Sequence, residues 1–200
     1  VDLGTSHHYA FTTPRTDLMF RDQVDPWLGR GPCIVVNDVG LAEDFDPIDL
    51  SYVTLNCVLH ELAHILDRPA LYAEDPGDTP ERMQFDRLVA IDVLNSPPRA
   101  ELPAYYGHEA SFIRIAIHLA YRATLSGFDT KPAGVFHGHR HGLSPAAMYA
   151  EALGDEPESM ASLCIGELRD IPLPAAFSRL WQADIERYHQ LYSPQEGVTT

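Results

Sequence analysis

Between Asp49 and Asp67 the apolar residues Leu50, Val53, Cys57, Val58, Leu62, Ile65 and Leu66 recur at three- and four-residue spacing. The period predicts one amphipathic helix, with Asp49 or Ser51 as N-cap and Pro69 as its stop. Inside this run stands His60-Glu61-Leu62-Ala63-His64. No other stretch constrains the fold as strongly, because a helix that buries its apolar face brings two imidazoles and a carboxylate to the edge of a core, where each needs a partner.

Four residues advance a helix by 400°, so His60 and His64 project from nearly one face, about 6 Å apart along the axis. That separation lets both rings reach one zinc ion. Glu61 lies to one side, where its carboxylate can take a proton from a water on the metal without being a ligand. With 10 histidines and 12 glutamates in 200 residues, a shuffled chain would hold this five-residue pattern about 0.03 times.

The remaining segments frame that helix. Cys33-Ile34-Val35-Val36-Asn37 is a short β-branched run between Gly31-Pro32 and Val39-Gly40, which predicts a buried strand and a small N-terminal sheet. Thr79-Pro80 opens a second helix running through Met83 to Leu94, and a proline-rich connection leads on to Pro103. Phe112, Ile113, Ile115, Ala116, Leu119 and Ala120 set a third helix from Glu109 to Leu125, closed by Ser126-Gly127. Residues 127–144 read as a long ordered loop. Ser144-Pro145 and Glu156-Pro157 open short helices, and Pro174 to Tyr192 reads as a last amphipathic one. The expected class is α+β, mainly helical, in a single domain over residues 1–200.

Composition narrows the function. The formal charge of −15 and pI near 4.9 repel phosphate backbones, so nucleic acid is not the expected partner. No apolar run approaches the roughly 20 residues of a membrane span. Cys33, Cys57 and Cys164 are widely spaced and odd in number, which fits neither a disulfide framework nor a CxxC ribbon and points to a reducing, cytoplasmic setting. The opening Val1-Asp2-Leu3-Gly4-Thr5-Ser6 lacks the basic start and apolar stretch of a signal peptide.

The His60-Glu61-Leu62-Ala63-His64 helix resembles that of the zincin metallopeptidases, whose third ligand comes from farther along the chain. The resemblance implies a zincin-like domain, a bound Zn²⁺, a protein or peptide substrate, hydrolysis with Glu61 as general base, and extended substrate paired to a sheet edge beside the helix. In the metzincin branch a glycine turns the chain after the second histidine; here His64-Ile65-Leu66-Asp67-Arg68-Pro69 has none. Asp67 sits seven residues past His60, about 10 Å further along the axis, too far to share the ion. It reads instead as an acceptor for an imidazole N–H or as a surface residue.

A second stretch, Tyr105-Tyr106-Gly107-His108-Glu109-Ala110-Ser111-Phe112, resembles the SprT-like metallopeptidases, in which a later histidine opens a helix and an aromatic residue follows four positions on. That resemblance implies His108 as the third metal ligand beside His60 and His64. Glu109 stands where that family usually has glycine. A gluzincin-like site would instead draw a carboxylate from Glu81, Asp86 or Glu109.

Other residues carry open readings. His137, His139 and His141 alternate with Gly138 and Arg140, so an extended strand would place them on one face for a second metal or for substrate; a solvated loop is the plainer account. Tyr105, Tyr106 and Tyr149 are candidate donors to a tetrahedral intermediate, with packing as their default. His118 lies about 15 Å along a helix from His108 and reads as a packed core histidine. His7-His8 has no assigned role. The alternative function is a non-hydrolytic binding domain stapled by zinc, in which a protein side chain fills the fourth coordination position. A zinc hydrolase acting on a non-peptide amide is a third reading.

Overall fold

The computed structural model describes residues 9–12, 32–72, 108–131 and 146–192. The helix read over Met83 to Leu94, the proline-rich connection after it and most of the 127–144 loop lie outside the described residues.

Strand β1 (Ala10–Phe11) pairs antiparallel with β2 (Val35–Val36), Ala10 opposite Val36 and Phe11 opposite Val35. The Asn37 N–H donates to the Tyr9 carbonyl at 2.8 Å and the Thr12 hydroxyl to the Cys33 carbonyl at 2.7 Å, extending the ribbon at both ends. The strand is shorter than the Cys33–Asn37 run predicts, because Asn37 leaves it to cap a helix. Its Oδ1 accepts the Gly40 N–H at 3.0 Å, and α1 (Asp38–Asp44) follows with Asp38 in its first turn, favoured there by the helix dipole.

Helix α2 (Leu50–Asp67) has Asp49 at its N-cap position. It ends where expected: Arg68 is the C-cap, and a 3₁₀ turn (Pro69–Tyr72) tucks Leu71 and Tyr72 into the interior. This helix is sandwiched, so its burial exceeds one face. Val53 and Cys57 join Leu41 against the sheet, while Leu59 and Ala63 pack toward α3 (Ala110–Leu125).

Phe112 through Ala120 of α3 are all buried. A helix apolar on nearly every side belongs at the centre of a fold, and α3 packs against α2, α4 (Ala146–Leu153), α5 (Glu156–Ser159) and a 3₁₀ segment (Ile165–Asp170). It closes in a Schellman motif: Phe128 N–H bonds the Ala123 carbonyl and Gly127 N–H the Thr124 carbonyl, with Gly127 at φ 87°, a conformation glycine adopts without steric cost.

Three polar residues one turn apart on α3 hold the following chain against it. Arg114 donates through Nε to Glu156 at 2.7 Å and through Nη1 to the Leu168 and Ile171 carbonyls, both at 2.7 Å. His118 meets the same Glu156 oxygen at 2.9 Å, and Arg122 donates to the carbonyls of Met160 and Leu163. His118 is a fully buried core residue, in line with its sequence reading. Helix α6 (Ala175–Tyr192) packs on α4, with Phe177 beside Tyr149. The result is mainly helical with one two-stranded antiparallel sheet among the described residues, which fits the α+β class. No described helix is long and apolar enough to cross a membrane.

Candidate metal centre

His60 and His64 occupy successive turns of α2, and their ring centroids lie 5.0 Å apart with the planes at 81°. The helix alone fixes that pair. His108 comes from elsewhere: it stands just ahead of α3, where Glu109 is extended (φ −69°, ψ 176°) and its carbonyl accepts the first helical N–H, from Ile113. Because α3 packs along α2, His108 lies over both rings, with centroids 5.2 Å from His60 and 4.6 Å from His64.

Each of the three histidines presents one ring nitrogen to a common point, and these atoms all lie within 4.8 Å of one another. The Nε2 atoms of His60 and His108 are 3.2 Å apart. Two nitrogens bound about 2.0–2.1 Å from a tetrahedral ion stand about 3.3 Å apart, so this edge already has the length that a shared ion requires. Three imidazoles meeting at one point form a donor set suited to a borderline metal.

Phe112 forms the floor of the site. Fully buried, it stacks on His64 at 4.3 Å and 27° and meets His60 at 5.0 Å and His108 at 4.7 Å edge-on. The aromatic residue four positions past His108 thus limits the rotation of all three rings.

Glu61 is not among the converging donors. It is buried on the sheet side of α2, and the Thr12 backbone N–H donates to its carboxylate. Burial pushes its carboxyl up to about 7, the Thr12 bond opposing that rise. A carboxyl titrating near neutrality can both accept and return a proton. The Cys57 thiol, one turn earlier, is pushed up to about 11 by burial and by Glu61. All three cysteines are free thiols.

Among the carboxylates weighed as third ligands, Glu109 turns away to pair with the Arg68 guanidinium, while Glu81 and Asp86 lie outside the described residues. Asp67 is neither an imidazole acceptor nor a surface group. It is buried, accepts from the Ser111 hydroxyl, and has its carboxyl raised chiefly by burial. Tyr149 donates to Asp184 in the interior, so packing is its role. Tyr105, Tyr106, His137, His139, His141, His7 and His8 lie outside the described residues. A cavity of about 280 Å³ between α3 and residues 168–173 has Ser111 on its wall but none of the three histidines.

Sequence reasoning did not single out Arg68 or Thr12. Their contacts with Glu109 and Glu61 exist only once α3 and the sheet are packed on α2, and no local pattern announces them.

Compared with protein-family models, with curated proteins and with solved structures, the chain matches none.

Proposed function

We propose that this protein is a zinc-dependent peptidase, with His60, His64 and His108 as the metal ligands and Glu61 as general base. The observation that carries the reading is the convergence of three imidazoles, two from successive turns of α2 and one from the residue just ahead of α3, with the buried Glu61 carboxyl next to the first of them. Zinc bound there would supply a Lewis acid for the scissile carbonyl and a water with its pKa lowered toward about 7.

Glu61 removes the proton from the attacking water and returns it to the departing amide nitrogen. The Thr12 N–H steadies the carboxylate. Since β1 ends beside Glu61, an extended peptide would lie along this side of α2, paired with a strand edge.

Metal analysis of the purified chain and of Glu61→Gln tests the reading. About one zinc per chain is expected in both, with peptide hydrolysis lost only in the variant. Wild-type protein purified without chelator and found metal-free would overturn it. Bound zinc with no cleavage of any peptide mixture would favour a non-hydrolytic, zinc-stapled domain.

A further inference from the structure

His60 and His64 need no help to stay in register, because one helical turn sets their spacing. His108 has no such guarantee, being 48 residues from His60 and just outside α3. Two links hold the chain immediately after it. Arg68, the C-cap of α2, binds Glu109, one residue past His108. Asp67, the last residue of α2, accepts from Ser111, three residues past His108. Both partners come from the residues that directly follow the second ligand's turn, so the C-terminal end of the active-site helix grips the segment delivering the third ligand.

We propose that Arg68, through Glu109, is a positioning residue that holds His108 at ligand distance from His60, with the Asp67–Ser111 contact as the second arm of the same clamp. The proposal rests on the metal-centre reading above. The Arg68–Glu109 pair is partly open to solvent, with 26% and 37% of the two side chains exposed, and ion pairs in such a setting contribute little to global stability. A site, by contrast, tolerates only about 0.5 Å and 10–20° of error in its donors. A contact of this kind therefore matters far more to ligand geometry than to the melting temperature. Neutralising Glu109 by pairing it also keeps its carboxylate from swinging in as a competing donor.

The test is zinc affinity of the full chain by chelator competition, visible absorption of the Co²⁺ form, and thermal melting of the metal-free protein. Arg68→Ala and Glu109→Ala, which cut the same link from opposite sides, should each weaken zinc binding by about 10- to 100-fold. Their Co²⁺ spectra should lose intensity as an imidazole gives way to solvent, while the metal-free melting temperature moves by only a few degrees. The charge-exchanged double variant Arg68→Glu, Glu109→Arg should recover most of the affinity, which a generic loss of stability would not allow. Wild-type affinity and spectrum in either alanine variant would overturn the clamp and leave the metal centre standing. Failure of wild-type protein to bind either ion would overturn both.

Discussion

His60 and His108 face each other with their Nε2 atoms 3.2 Å apart, although 48 residues separate them in the chain. The approach is made by α3 packing against α2, so the third donor depends on tertiary structure where the first two depend only on a helix. His108→Ala should therefore lower zinc affinity by more than about a hundredfold, beyond what loss of an outer-sphere partner costs. The fold should persist, because His108 precedes the buried run Phe112–Ala120, whose apolar side chains make the core. Chelator competition with circular dichroism checks both halves, and wild-type affinity in this variant would remove His108 from the ligand set.

Phe112 carries two duties, and substitution separates them. It is fully buried in the main core and touches all three imidazoles. Phe112→Ala should cost about 3–5 kcal/mol of stability through lost transfer energy and the cavity left behind. Phe112→Leu keeps most of the volume and should cost under about 1.5 kcal/mol. Leucine gives the rings no flat face to stack on, so zinc affinity should fall in that variant while the fold survives. Denaturant melts of metal-free protein measure the first effect and zinc titration the second.

What the sequence revealed divides along the range of the interactions. His60, Glu61 and His64 are legible because helical period places them without reference to anything else. The boundaries of α2, α3 and α6 follow from Pro69, from Ser126-Gly127 and from Pro174 for the same reason. Helix α1 is not legible: Val39-Gly40 reads as the end of a strand, and only the turn of Asn37 onto the Gly40 N–H makes it a beginning. Nothing local marks the buried role of Arg114, since its partner Glu156 lies 42 residues on. His108 emerges from the sequence only through its likeness to a family pattern, since nothing local to residues 105–112 says that another histidine pair will lie opposite.

Acid should remove the stability that Glu156 and His118 contribute to the fold. The His118 imidazole is held below its ordinary value of 6.5, chiefly by burial, with Glu156 opposing. The Glu156 carboxyl is held below 4.5 because Arg114 and His118 outweigh the effect of its burial. In both cases the unfolded chain binds more protons than the native one as pH falls, so stability is present at neutral pH and lost on acidification. The loss begins below about 6.5, from His118, and continues below about 4.5, from Glu156, with a slope of up to about 1.4 kcal/mol per pH unit for each group. Glu61 and Asp67, whose carboxyls are raised by burial, take up protons on folding in the same range and oppose this loss, so it is read as the difference in denaturant midpoint between wild type and His118→Gln from pH 8 to pH 4. The wild-type advantage should shrink as pH falls below about 6.5, and a difference that stays constant over the whole range would show that His118 does not contribute.

Gly127 tests the end of the helix that delivers His108. At φ 87° it supplies the left-handed residue of the Schellman motif closing α3, and a Cβ there would meet nothing within 4 Å. Gly127→Ala therefore introduces backbone strain without a clash, and should cost about 1–2 kcal/mol, the penalty of a left-handed conformation in a residue with a Cβ. Gly127→Asn should cost less, since asparagine tolerates that region better. The motif lies at the opposite end of α3 from His108, so both variants should bind zinc as wild type does when assayed well below their melting temperatures. A loss of stability in Gly127→Ala no greater than in Gly127→Asn would mean that the strain at this turn is absorbed elsewhere.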